Sequence, residues 1–294
     1  MFLPTPCRTL LVTPALDPSR FGKAQEVGAD MGLLDLEDGV PMALKAEARR
    51  IAVEHLARPR PGIPMAVRIN SLRTPDGLRA VLALLDAGAR PDAILLPKVE
   101  APAELQQLDE LLGSAIPQAV LLAIIETVRG VSAVDAIAMS TPRLRGLIFG
   151  AADMSAQLGV PLTWEPLLYA RSRIAMAASL AGIGAIDSPF FDLEDGTGLV
   201  EETRRARSLG FTGKVVIHPQ QVGLIHEALR PSAVMVDHAL RVVAQAGDGK
   251  GGIHVVGGNM VGPPLVAAAR RVLASAQVDP EPVPLRASSR RGER

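Results

Sequence analysis

Cysteine is almost absent from this chain of 294 residues. Cys7 stands alone, so no internal disulfide can form, and its segment supplies neither the His nor the acid of a nucleophile. It reads as structural, in a chain compatible with the cytosol. Net charge is missing too, because 31 Lys and Arg balance 31 Asp and Glu. No global field draws the protein to nucleic acid or to an anionic membrane. No apolar run approaches the roughly 20 residues of a membrane span. The start, MFLPTPCRTL, has no basic flank followed by a long apolar region, so the expectation is an unexported, cytoplasmic protein. What the chain does have is 48% hydrophobic residues, ample for a large core.

Short apolar runs alternate with longer amphipathic ones about eight times. The runs are TLLVTP (9–14), GLLDLED (32–38), MAVRIN (65–70), AILLPK (93–98), VLLAIIET (120–127), GLIFGAAD (146–153), AIDSPF (185–190) and VVIHP (215–219). Strands apolar on both faces belong to a parallel sheet covered by helices. Helical patterns such as MALKAEARRIAVEHL, DGLRAVLALLDAG, PAELQQLDELLG and GLVEETRRARSLG lie between them. Eight such pairs over about 230 residues predict an α/β fold, a (β/α)8 TIM barrel, ahead of a doubly wound sheet. Pro14, Pro97 and Pro219 mark strand ends, since proline cannot continue a central ladder. Residues 1–230 then form the catalytic domain and 231–276 a helical extension, carrying SAVMVDHALRVVAQAG and PPLVAAARRVLASA. The proline- and charge-rich 277–294 has no periodicity and is expected to be disordered. GDGKGG follows a helical run, not a strand, and reads as a hinge, not a phosphate loop. The methionines share no spacing with His or Cys and read as core.

In such barrels polar residues at the carboxyl ends of strands face the mouth where chemistry happens. Strand two delivers Asp35, Glu37 and Asp38 there. Arg68 and Asn70, Lys98, Glu126, Asp153, Asp187 and His218 complete a ring from strands three to eight. Glu126 and Asp153 end adjacent strands whose axes lie roughly 4.8 Å apart. Two unpaired carboxylates repel there, and Mg2+, which typically takes one or two protein carboxylates, removes the repulsion. Neutralisation by Arg68 or Lys98 is the alternative. Arg68, inside an otherwise apolar strand, needs an anion, which a substrate carboxylate or a protein carboxylate could supply. The small Ala151 and Ala152 leave backbone N–H groups open to a second carboxylate oxygen.

The segments RTLLVTP, SRFGKAQEVGADMGLLDLEDGVP, VRIN, LLPKVE, IETVRGV, GLIFGAADMSAQLG and GFTGKVVIHPQQV resemble the HpcH/HpaI aldolase and citrate lyase β-subunit superfamily, in its citrate-lyase-β-like branch. The resemblance covers about residues 8 to 275. It implies a TIM barrel, usually a homotrimer, that binds Mg2+ and cleaves or forms a carbon–carbon bond in a short 3-hydroxyacyl-CoA such as malyl-, citramalyl- or citryl-CoA. Its partners are then small molecules, an acyl-CoA and a 2-oxo acid. By the same resemblance Glu126 and Asp153 are metal ligands and Arg68 holds the oxo-acid carboxylate. Glu37 and Asp38 match acids that orient water at the metal, while Arg20 and Lys23 match a basic segment near the CoA phosphates.

One departure stands out. The family's proton-transfer aspartate lies in a C-terminal G-x-M-I-D-x-P segment that reaches a neighbouring subunit. Here the segment reads GGNMVGPP, keeping Gly258, Met260 and Pro264 but placing Gly262 where the aspartate belongs. Losing a general acid or base typically costs about 10²- to 10⁴-fold in rate. His218 and His254 are the nearest substitutes in sequence. Three readings follow: a Mg2+-dependent lyase, a catalytically weakened metal- and oxo-acid-binding subunit, or a class II aldolase on free 2-oxo acids.

Overall fold

Eight short strands close on themselves. In the computed structural model, which describes residues 7–60, 62–246, 252–257 and 259–276, they are β1 (Thr9–Pro14), β2 (Met31–Asp35), β3 (Met65–Arg68), β4 (Ala93–Leu96), β5 (Val120–Ile125), β6 (Leu144–Phe149), β7 (Gly184–Asp187) and β8 (Gly213–Val216). Each pairs in parallel with the next and β8 pairs with β1, so the sheet is a closed barrel with no edge. Alternation along the strands sorts the apolar side chains into two layers. Leu33, Ala66, Leu95, Ile124, Ile148 and Ile186 belong to the cluster that fills the barrel. Their neighbours, such as Leu34, Val67, Ile94 and Phe149, pack outward with residues of the helices, among them Leu84, Leu108 and Ile174.

Those helices are α1 (Lys23–Glu26), α2 (Lys45–Ala57), α3 (Pro75–Asp86), α4 (Pro102–Leu112), α5 (Val128–Ser132), α6 (Val134–Ala138), α7 (Ala151–Leu158), α8 (Trp164–Ala181), α9 (Gly196–Leu209) and α10 (Gln221–Leu229). Local chemistry starts and stops them. Thr74 accepts from Gly77 N–H at 3.1 Å and Thr127 from Gly130 N–H at 3.0 Å, each satisfying an orphan donor of the first turn. Proline opens α3 and α4, where a missing N–H costs nothing. Gly182 and Gly210 close α8 and α9 in the left-handed conformation.

The strands stop earlier than their apolar runs suggest, and two expectations are corrected. GLIFGAAD is not one strand: β6 ends at Phe149 and α7 begins at Ala151, so Asp153 lies in the first turn of a helix. Asp187 does not join the mouth. Because Ile186 faces the barrel interior, Asp187 faces the helices, where it is fully buried against Arg171 of α8 (3.0 Å) and Lys214 of β8 (2.7 Å). The Arg171 guanidinium also lies over the rings of Phe149 and Trp164, at 4.9 and 4.5 Å.

The chain separates into two compact units, Met1–Leu229 and Arg230–Arg294. The second holds α11 (Ala233–Ala246), a hairpin of β9 (His254–Val256) and β10 (Asn259–Val261), and α12 (Pro263–Ala276). Ala239, Val242, Val256, Val261 and Ala269 form its core. Sequence patterning missed the hairpin, whose three-residue strands are too short to show an alternation. Gly262 caps α12, its carbonyl accepting from the N–H groups of Leu265 and Val266. Residues 247–251 of the glycine-rich segment, Gly258 and the tail from residue 277 lie outside the described residues. No helix among the described residues is long and apolar enough to cross a membrane.

Candidate active site

Counting in twos from the inward residues Leu33, Ala66 and Ile124 reaches Asp35, Arg68 and Glu126. The pleat therefore aims these three polar side chains into the carboxyl end of the barrel, one step above its apolar filling. Asp35 and Arg68 are register partners on β2 and β3. They form a two-pronged ion pair, Nε to Oδ1 and Nη2 to Oδ2, both 2.6 Å. This answers the question the sequence left open, since a protein carboxylate does partner Arg68. Asp35 is 1% exposed and also accepts from the N–H groups of Glu37 (2.9 Å) and Gly39 (2.8 Å). These bonds hold its carboxyl below the usual carboxylate range against the opposing effect of burial.

Asp35 thereby folds the loop that carries Glu37 and Asp38, neither of which lies on a strand. Lys45 of α2 donates to the carbonyls of Leu36 and Glu37, and Asn70 donates to Leu36 at 3.0 Å. So pinned, Glu37 is buried between two cations. Its Oε1 pairs with the Lys98 ammonium at 2.5 Å, and its Oε2 lies 3.0 Å from Arg68 Nη1. The second contact lacks hydrogen-bond geometry, so this buried oxygen keeps unmet acceptor capacity. Burial pushes the Glu37 carboxyl up despite both cations. Asp38 is mostly exposed, 3.7 Å from Lys98.

Lys98, a member of the expected ring and one of the two cations that could neutralise the acid pair, does contact both acids. It follows β4 in the left-handed region, with φ 54°, a conformation that costs a residue with a Cβ roughly 1–2 kcal/mol. Its N–H donates to Glu126 Oε1 at 2.8 Å, while its ammonium lies 3.6 Å from Asp153 Oδ1. One residue thus spans both acids of the proposed metal pair. The acids around it keep the ammonium protonated well above its ordinary range, although burial opposes this.

Glu126 is 3% exposed, and its other oxygen rests against Gly150, the residue that caps α7. Burial first, then the charges of Glu37 and Asp153, raise its carboxyl to about 8. Two neighbouring carboxylates repel each other when ionised, and a divalent cation between them would relieve that repulsion. Among the described residues no group of three or more His, Cys, Asp or Glu is arranged for a metal. The two-carboxylate set matches Mg2+ rather than zinc, which takes three or four nitrogen and sulfur ligands. Ala151 is buried and Ala152 exposed at the start of α7, where N–H groups have no intrahelical acceptor.

Among the described residues no hydrogen bond or ion pair joins the other expected residues, Arg20, Lys23 and His218, to this cluster. Lys23 pairs with Glu26 at 3.0 Å on the surface, and Arg20 is exposed at the end of a short 3-10 turn after β1. His218 accepts from the N–H of Gln220 at 3.3 Å, a turn contact. Cys7 is buried, which pushes its thiol up to about 12 and leaves it unreactive.

Acids, a guanidinium and an ammonium gathered on the carboxyl rim of a closed parallel barrel define a TIM-barrel enzyme. Residues 8–219 match the model of the HpcH/HpaI aldolase/citrate lyase family. The chain is 33% identical over 285 residues to citrate lyase subunit beta of Leuconostoc mesenteroides subsp. cremoris, covering 92% of this chain and 94% of that one. It is 36% identical over 267 residues to the L-malyl-CoA/beta-methylmalyl-CoA lyase of Cereibacter sphaeroides, with 81% and 84% covered. Among solved structures, protein CitE of Mycobacterium tuberculosis in complex with magnesium, acetoacetate and coenzyme A superposes with a TM-score of 0.80 at 34% identity, covering 92% of this chain and 98% of that one. The chain belongs to the HpcH/HpaI aldolase/citrate lyase family, and is a lyase by class.

Proposed function

We propose that this chain is a Mg2+-dependent carbon–carbon lyase that cleaves, or forms, a short 3-hydroxyacyl-CoA of the malyl-, citramalyl- or citryl-CoA kind, giving a 2-oxo acid and an acyl-CoA. The observation that carries it is the meeting of Glu126 and Asp153 at Lys98, with Arg68 joined to Lys98 through Glu37, at the barrel mouth of a chain of this family. Glu126 and Asp153 are the residues that would hold Mg2+, which when bound supplies Lewis-acid stabilisation of the oxo-acid oxygens.

In the cleavage direction the substrate hydroxyl loses its proton and its carbon–oxygen bond becomes a carbonyl. The electron pair of the broken carbon–carbon bond passes to the thioester α-carbon as an enolate, which then takes a proton. Arg68 has one Nε and one Nη2 proton committed to Asp35, and its remaining donors orient the oxo-acid carboxylate. The N–H groups of Ala151 and Ala152 receive another carboxylate oxygen. Glu37 and Asp38 would orient water at the metal. Exposed Arg20 and Lys23, past the carboxyl end of β1, meet the CoA phosphates. The same reading carries a homotrimer in the cytoplasm.

A second reading, a catalytically weakened subunit that binds metal and oxo acid, is favoured by Gly262, which offers no group for proton transfer. One experiment addresses both. Release of 2-oxo acid from malyl-CoA, citramalyl-CoA and citryl-CoA is followed with Mg2+ for the natural chain and for Gly262→Asp. A carbon added at Gly262 meets only Pro264 Cδ, at 3.8 Å, and aspartate is a favoured helix cap, so the variant folds. Mg2+-dependent cleavage by the natural chain supports the lyase reading, and cleavage by the variant alone supports the second. No cleavage by either overturns the lyase reading.

A further inference from the structure

Among the described residues Lys98 is the one non-glycine residue held at positive φ, and what that conformation achieves is visible in its contacts. With the backbone turned this way, the N–H donates to Glu126 Oε1 while the side-chain ammonium stands against Glu37, Asp38 and Asp153. The ammonium therefore stands within 3.6 Å of one acid of the pair and its backbone is bonded to the other. A fixed positive charge so close to a carboxylate competes for it with any second cation, because unit charges at this distance interact strongly even when partly exposed to water.

We propose that Lys98 is a positioning residue that couples cation uptake to the arrival of an anionic ligand. This rests on the assignment of Glu126 and Asp153 as cation ligands. Without the anion, the ammonium shares Asp153 and Glu37 with the incoming ion and weakens its hold. A bound carboxylate gives the ammonium another partner and frees Asp153 for the ion, so each ligand tightens the other through Lys98. The contact of the ammonium with the bound carboxylate is electrostatic, and Lys98 takes no part in the bonds made and broken in the reaction. It sets where the acids point and how much positive charge they already carry.

Calorimetric titration with Mg2+, alone and with pyruvate present, tests this in the natural chain, Lys98→Met and Lys98→Arg, each first shown by thermal melting to be folded. In the natural chain pyruvate tightens Mg2+ binding by about tenfold, within the usual span of such couplings. Lys98→Met binds Mg2+ alone about tenfold more tightly than the natural chain, as expected when a competing charge within 4 Å is removed, and gains less than about threefold from pyruvate. Lys98→Arg, which keeps the charge, behaves like the natural chain. A Lys98→Met protein that binds Mg2+ no more tightly than the natural chain, or keeps its full response to pyruvate, overturns the proposal and leaves the metal assignment standing. A natural chain that takes up no Mg2+ with or without pyruvate overturns the assignment, and the coupling with it.

Discussion

Gly150 and Glu126 occupy nearly the same space: a carbon placed on Gly150 would sit 2.4 Å from both Cβ and Oε2 of Glu126. Backbone conformation is not the reason for glycine here, since φ is −100°. The Glu126 side chain is. Gly150→Ala is expected to displace the carboxylate and lower turnover by about 10²-fold, the usual consequence of misplacing a reacting group by an ångström. Steady-state kinetics alongside a melting curve check this, since a folded but slow variant is the expected result.

Stability should register Glu126 as pH changes. Its folded value of about 8 lies above the ordinary 4.5, so the folded chain keeps a proton that the unfolded chain releases. Stability from this group is full below about 4.5 and is lost as pH rises through about 8. Glu126→Gln cannot ionise and keeps an oxygen for the Lys98 N–H. Melting in chelator is expected to show the variant gaining on the natural chain from pH 5 to pH 9, with no such gain if Glu126 titrates normally.

Asp35 supports Arg68 and the loop bearing Glu37 together. Asp35→Ala strands a largely buried guanidinium and two N–H groups, a loss of about 3 kcal/mol at the low end of the range for broken buried pairs, because Arg68 keeps some solvent contact. Urea unfolding measures it. A loss under about 1 kcal/mol would mean the pair is not formed in solution.

Asp187 offers the contrast. It neutralises Arg171 and Lys214 outside the barrel, with Glu202 as their remaining partner at 3.7 and 2.7 Å. Asp187→Ala is expected to cost about 3–5 kcal/mol in urea unfolding. The KM of the protein that stays folded should not move. A change in KM would place Asp187 in the mouth after all.

The sequence reveals the barrel because strands buried on both faces leave unbroken apolar runs, and Leu33, Ile94 and Ile124 need no partner to declare themselves. It reveals Glu126 and Arg68 because a charge ending such a run must be used for something. It misplaces Asp153 because the small residues of GAAD extend an apolar run as well as they start a helix. It misplaces Asp187 because a polar strand end can face either way, and only the inward packing of Ile186 decides. Lys98 is the hardest to read. Its part depends on a backbone conformation that lysine does not prefer, stabilised by contacts from Glu126 just past β5, from α7 and from the loop after β2 that no local pattern announces.

The central claim is that Glu126 and Asp153 grip one divalent ion at the barrel mouth. Diffraction from crystals soaked in Mn2+ and pyruvate, recorded for anomalous signal, tests it most directly. The account predicts one strong peak within about 2.0–2.3 Å of an oxygen from each of the two carboxylates, with the pyruvate carboxylate also in contact. A map in which the Lys98 ammonium still bridges Glu37 and Asp153 and no peak joins Glu126 to Asp153 would contradict it.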